Sequence, residues 1–418
     1  MDIVHVAERY RRRLGILRHG HALWIPEPNH ALPSQCRDAG LSIGDVGRFT
    51  PSGGFESIFN VCEPANHLLN QFTGVPPDFE LLHWDCHQIY ETPNYFRPGI
   101  PVCSSGAKQW EIGVEGSIAI PGLPLGAGAG IAVSFSRESG AVLMPPNGAT
   151  RTDCLERGKF REYLQKNGVS LYKLVNGTLQ REMGNGSLYL VTGVDKTNAW
   201  ENVVVDHGSR SQSCSLMFNT GGVVDGRLRL ARSSLQQASV TSRCSPEENT
   251  KHNQTLFVRG FCVSVKTGFW SKFGRRVSVS GTDDMSYNDP LGKSRHVPFG
   301  NWSTGSSSSR SRRSSQSSTD DSLSNIEDNM ADEVHHPLMA LSNALLQLRE
   351  DAEIVVIHDD DLISLLTEED IEIPDTSILM QRLLSTFEVE VEAGHIILRK
   401  QPPWNQPDDS NHRAHQSF

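Results

Sequence analysis

The sequence predicts an α+β fold, with a large antiparallel β-rich N-terminal domain carrying packed helices and a small winged-helix-like α/β module at the C-terminus. Three observations predict it. Short β-branched and aromatic runs bounded by turn residues recur from Ala22 to Val265. Glycine (36) and proline (22) are abundant in the 418 residues, nearer a loop-rich β protein than a helical bundle. Past residue 333 the periodicity changes to helix, strand, helix, helix, strand, strand. A chain this long exceeds one ordinary core. The expected division is a β-rich domain over 1–292, a disordered Ser/Arg-rich linker over 293–332, an acidic module over 333–400 and a disordered tail over 401–418.

The first segment places Ile3, Val6, Tyr10, Leu14 and Leu17 at spacings of three and four, with Arg9, Arg11, Arg12 and Arg13 mostly on the other faces and Arg18 following. That pattern is a basic amphipathic helix. It reads either as a surface helix docked by its apolar stripe or as a contact for anionic lipid or another acidic surface. From His19 to Asn70, glycines and prolines separate short strands such as Ala22–Ile25 and Phe55–Val61. Ile43–Gly47 fits no phosphate-loop pattern.

Between Gly113 and Phe135 apolar and small residues alternate around Pro121–Gly126, which predicts a β-hairpin with one small-residue face. Such a face packs under something large, or serves a membrane-inserting hairpin. A helix is expected over 151–166, capped by Thr152 or Asp153 and stopped by Asn167-Gly168, followed by a short strand over 169–175. Ser187–Val194, bounded by Gly184-Asn185-Gly186, is the strongest candidate for a buried central strand. Further strands are expected at 202–205, 215–218, 227–230 and 256–265.

Residues 301–321 are almost entirely Ser, Thr, Arg and Asp and cannot bury enough apolar surface to order themselves. Ser278, Ser314 and Ser315 follow arginine pairs and are candidate phosphorylation sites, where a phosphate would reverse the local charge. In the C-terminal segment, a helical stripe at 338–348 precedes a strand at 352–357, helices at 362–366 and 378–384, and a hairpin around Ala393-Gly394.

The chain's net charge of -10 is concentrated between Glu333 and Lys400, where fifteen acidic residues face four basic ones, about -11. That disfavours a nucleic-acid partner. The eight cysteines form no C-x-x-C pair and read as free thiols. No secretion signal or apolar span is evident, so the expected compartment is reducing and cytoplasmic, and the sequons at Asn176, Asn185, Asn253 and Asn301 read as loop composition.

His358-Asp359-Asp360-Asp361 could bind a hard cation or share protons, but its position between strand and helix favours helix capping. His335-His336 could join a metal site, although adjacent loop histidines are usually solvated. No nucleophile elbow or metalloprotease pattern occurs. The expectation is therefore no enzyme, no cofactor and no metal.

Gly20–Pro28, Ile43–Gly47, Ile58–Asn60, Gly140–Leu143, Tyr189–Lys196 and His358–Asp361 together resemble a family of uncharacterised proteins of mushroom-forming (agaricomycete) fungi, a resemblance that spans nearly the whole chain and implies no particular activity. In addition, the basic first helix leading to Leu23–Pro26, the small-residue hairpin and Ser187–Thr192 fall in the same order as comparable features of gasdermin pore-forming domains, which also carry a linker and a regulatory C-terminal domain.

Two functions are thus expected. One is an intracellular non-enzymatic interaction or regulatory protein, whose acidic module binds a protein partner or its own N-terminal domain. The other is a latent gasdermin-like pore-forming protein acting on anionic membranes through Arg9, Arg11, Arg12, Arg13 and Arg18.

Overall fold

The computed structural model describes residues 2–105, 107–112, 130–135, 139–207, 214–219, 230–233, 238–246, 249–266 and 336–401. Met1–Ser278 and Val334–Phe418 gather in one compact unit and Val279–Glu333 in a second, the latter outside the described residues.

The first unit begins with α1 (Ile3–Gly15), β1 (His21–Ala22), α2 (Ser34–Ala39), β2 (Asp45–Phe49), β3 (Phe55–Asn60), α3 (Leu68–Thr73) and β4 (Ile89–Phe96). Next come β5 (Val102–Cys103), β6 (Ala107–Ile112), β7 (Gly130–Phe135), β8 (Ser139–Met144), β9 (Ala149–Cys154) and α4 (Arg157–Tyr172), which runs on into a π-helical turn over Lys173–Thr178. Then follow β10 (Leu188–Thr197), β11 (Glu201–His207), β12 (Cys214–Asn219), β13 (Leu230–Ser233), β14 (Ala238–Cys244) and β15 (Gln254–Val265). The C-terminal segment holds α5 (Pro337–Leu348), β16 (Ile354–His358), α6 (Asp359–Ile363), α7 (Thr376–Thr386), β17 (Phe387–Glu392) and β18 (His395–Lys400).

The fold is mixed α+β, organised on a ten-stranded sheet whose spine is the antiparallel pair β10–β15, in register from Leu188↔Val263 to Thr197↔Gln254. Both strands are buried on both faces, as continuous apolar runs require. Each spine strand shares its outer edge between two short strands. β10 pairs with β2 at Tyr189 and Leu190 and with β9 from Gly193 to Lys196. β15 pairs with β1 at Phe257 and Val258 and with β16 from Phe261 to Val265. Arg259 and Gly260 fall in the gap between β1 and β16. A Cβ on Gly260 would lie 2.1 Å from the Leu190 carbonyl oxygen, so the close approach of the two spine strands requires glycine there.

The spine's faces are covered differently. Leu188, Leu190, Phe261 and Val263 pack with Phe160, Leu164 and Leu171 of α4. Tyr189, Val191, Val258 and Cys262 share a core with Leu338, Leu341 and Leu345 of α5, Leu362 of α6 and Leu379 and Leu383 of α7. Two four-stranded sheets, β14-β11-β8-β5 and β13-β12-β7-β6, draw on the same four stretches of chain in the same order. α1 packs Val6, Ala7, Tyr10 and Leu14 with Trp24, Trp200 and Leu143 of β8.

Several expectations change. The segment expected as a separate module over 333–400 does not stand apart: β15 has an unfilled edge from Phe261 to Val265, and β16 fills it. Its element order is as expected, and β16 also pairs in parallel with β18. Arg151–Asp153 belong to β9 rather than to a helix start, because Arg151 and Asp153 meet charged partners on the spine. Asn167-Gly168 does not stop α4. A Cβ on Gly168 would approach Ile354 Cδ1 to 2.8 Å and Val263 Cγ2 to 3.1 Å, so this glycine lets the helix lie against the sheet. Residues 169–175, expected as a strand, are helical. Of the expected hairpin, 130–135 is β7, paired with β6, and its remaining residues lie outside the described ones, as do the linker over 293–332 and residues 402–418. No helix among the described residues is long and apolar enough to cross a membrane.

Candidate regulatory interface

The basic helix and the acidic segment meet. Asp2 caps α1 by accepting from Val4 N at 3.2 Å. The apolar stripe turns inward, with Tyr10 donating to Asn202 Oδ1 at 2.7 Å and standing edge-on to Trp24, whereas Ile3 at the stripe's start is largely exposed. On another face, Arg12 donates to Asp375 Oδ1 at 2.8 Å and to the Ile373 carbonyl at 2.9 Å, and lies 3.4 Å from Glu372. Arg13 pairs with Glu372 at 3.1 Å. Arg18 donates to the Leu366 carbonyl at 2.7 Å, and the Arg12 carbonyl accepts from Ile373 N at 3.0 Å. Arg11 turns to Glu8 of its own helix at 3.3 Å, where burial pulls its guanidinium down from its usual value. Arg9 is exposed. Of the five arginines singled out by sequence, Arg12, Arg13 and Arg18 thus converge on 366–375. Ser278, Ser314 and Ser315 lie outside the described residues.

A second, buried contact lies at the gap in β15. Where the β15–β16 ladder ends, at Phe261↔His358, the chain turns into α6 and the Asp359 carboxylate continues the ladder as a side chain. Its Oδ2 accepts from Gly260 N at 3.0 Å and from the Tyr189 hydroxyl. Its Oδ1 lies 3.2 Å from His336 Nε2. His336 Nδ1 accepts from Leu338 N at 3.2 Å and caps α5, which leaves Nε2 as the protonated nitrogen facing Asp359. The ring stacks with His21 and Phe49. Burial pushes the Asp359 carboxyl up, but His336 beside it and the hydrogen bonds from His336 and the Tyr189 hydroxyl outweigh it and hold the group below its usual value. A buried carboxylate is tolerated only when so surrounded.

The remaining acidic residues of the run disperse. Asp360 pairs with Arg157, and Asp361 closes a reciprocal cap with His358. The three carboxylates therefore point to three different partners, and the cap is His358 rather than an aspartate. His336, expected in solvent, is buried.

No family model, no curated protein and no solved structure matches the chain.

Beside the interface, at the bulged end of β10, Asp195 is fully buried and accepts from Arg151 at 2.7 Å and from Arg259 at 2.9 Å, while Arg259 also pairs with Asp153 at 2.5 Å. Two guanidiniums and two carboxylates balance, and Lys196 donates to the Ala39 carbonyl at 2.8 Å. Asp195 and Lys196, just past the run expected as a strand over Ser187–Val194, therefore belong to β10 itself. Sequence reading missed this network because its members lie on β9, β10 and β15, and only strand order brings them together.

Magnitudes decide what holds the segment. The Arg12 and Arg13 pairs are partly exposed and are worth roughly 0–1 kcal/mol each. A fully buried leucine contributes about 1.5–3 kcal/mol, and the shared core contains nine buried leucines of the C-terminal segment. Apolar burial supplies the affinity, and the charges fix where 366–375 lies on α1.

Proposed function

We propose that this chain is a non-enzymatic interaction protein in which the partner of the acidic C-terminal segment is the chain's own N-terminal region. The segment, winged-helix-like in its order of elements, acts as a built-in cover for the basic helix α1. The observation that carries this reading is the convergence of Arg12, Arg13 and Arg18 on Leu366, Glu372, Ile373 and Asp375. A cover of this kind keeps α1 from other acidic surfaces while it is in place.

The test is a charge swap read by amide hydrogen exchange. Arg12→Glu in the full chain is expected to speed exchange over 366–375 and to lower stability by about 1 kcal/mol. Adding Asp375→Arg, which re-pairs position 12 and leaves the Arg13–Glu372 pair in place, should restore most of both. Unchanged exchange over 366–375 in the single variant would sink the reading.

The same contacts favour a second reading, a latent pore-forming protein whose α1 is masked from anionic membranes, because the arginines needed for that attraction are the ones engaged by the acidic residues. Full-length Glu372→Lys/Asp375→Lys should then release dye from vesicles rich in acidic lipid where the wild type does not. Equal leakage from both proteins counts against it.

A further inference from the structure

Asp85, Cys86 and His87 offer a carboxylate oxygen, a thiol sulfur and an imidazole nitrogen that all lie within 4.8 Å of one another on the surface. We propose that this turn is a binding site for a divalent cation of the zinc class. Nothing in the interface between α1 and the acidic segment uses it.

The turn is fixed from several sides. Asp85 Oδ1 accepts from His87 N at 2.9 Å, and Gln88 N donates to the Asp85 carbonyl at 2.8 Å, which closes the turn. Asp85 N donates to Glu156 Oε2 at 3.1 Å and the Gln88 carbonyl accepts from Leu155 N at 2.9 Å, tying the turn to the junction of β9 and α4. Trp84, one residue earlier, stands edge-on to the buried Phe160. The backbone that carries the three donors is therefore held, while the donors themselves are exposed. Among the described residues neither the Cys86 sulfur nor the His87 ring has a hydrogen-bond partner, and Cys86 is a free thiol.

Donor chemistry selects the ion. Calcium and magnesium take oxygen ligands throughout, and copper(I) prefers sulfur. A mixed sulfur, nitrogen and oxygen set suits zinc, whose ligand bonds of about 2.0–2.3 Å put tetrahedral donors roughly 3.5 Å apart. Closing the set from its present separation requires movements of about 1 Å, within reach of rotamer adjustments of exposed side chains. Three protein donors leave a fourth position for water. Binding converts the Cys86 thiol to a metal-bound thiolate and releases its proton to solvent, with no change in oxidation state.

The experiment uses the full chain, freed of metal and titrated with Zn²⁺, with Co²⁺ as the optical probe. One equivalent is expected to bind, about one proton to be released per Zn²⁺ near neutral pH, and the Co²⁺ form to show a sulfur-to-metal charge-transfer band. Cys86→Ala and His87→Ala should each weaken binding by at least about tenfold. Cys86→Ala should also abolish the band, whereas Cys244→Ala, at another exposed cysteine, should leave both unchanged. Because the altered side chains are exposed, an unchanged thermal midpoint in the absence of metal checks that the variants fold. Absence of stoichiometric binding, or equal binding by wild type and Cys86→Ala, overturns the proposal.

Discussion

At His358 a histidine fills the capping role usually taken by serine or aspartate. Its Nδ1 accepts from Asp360 N at 3.1 Å, and Asp361 Oδ2 accepts from His358 N at 3.0 Å. Acceptance at Nδ1 leaves the proton on Nε2, which faces Thr192 Oγ1 at 2.9 Å. A second proton would have to displace the helix N–H inside a buried site, and burial pushes the imidazole down to about 3. An unfolded histidine titrates near 6.5, so below that value the unfolded chain takes up a proton that the folded chain refuses. The contribution of neutral His358 is therefore complete above about pH 6.5 and is lost as pH falls towards 3. His358→Asn keeps a capping side chain without the titration. Wild-type stability relative to this variant should fall by about 3 kcal/mol between pH 7 and pH 4 in denaturant titrations, and a flat difference would refute the assignment. The sequence made a helix start at this run legible, because the run lies between an apolar strand and an apolar helix, but it pointed to an aspartate as the cap where the histidine serves. It left the role of Asp359 hidden, because the carboxylate's partner, Gly260 N, is fixed by a register between β15 and β16 that no local pattern encodes.

Elements whose burial leaves a regular pattern of apolar residues are the readable ones. α1 shows its spacing of three and four, and β10 shows an uninterrupted apolar run, so both were found where they lie. α4 was misplaced because its signals point the wrong way. The residues that resemble its cap, Thr152 and Asp153, serve β9, and the glycine that resembles its stop is a packing glycine in mid-helix. Glycines in this fold therefore separate by what a methyl group would meet. Gly260→Ala would drive Cβ into the Leu190 carbonyl, with neither backbone free to retreat from a buried strand pair, and is expected to cost about 3 kcal/mol or more. Gly158, near the start of α4, has nothing within 4 Å of the added carbon. Gly158→Ala should instead raise stability by about 0.5–1 kcal/mol. Chemical denaturation of the two variants checks the pair, and equal effects would refute the distinction.

For the whole molecule, the charge split was visible in composition, but composition reads equally as a removable module or as an integral one. The outcome turns on a single strand. β15 pairs with β1 beside its N-terminal half and with β16 beside its C-terminal half, so the sheet is closed on that edge only when both ends of the chain contribute. Over the same strand, Tyr189 and Val258 share their core with leucines that follow residue 336. Removing the C-terminal segment would expose the Phe261–Val265 edge, strip one face of the spine and leave the Gly260 N–H without its carboxylate partner, all at adjacent positions. Unpaired edges of that kind recruit other chains. The N-terminal region and the acidic segment should therefore melt together: calorimetry of the full chain is expected to show one main transition, shifted as a whole by Gly260→Ala in β15 and by Leu345→Ala in α5 alike. A chain ending before His336 should be insoluble or bind other copies of itself through the bare edge. Two separable transitions, with Leu345→Ala moving only one of them, would mean that the acidic segment is a detachable module after all, and that β16 joins the sheet by docking onto a domain already folded.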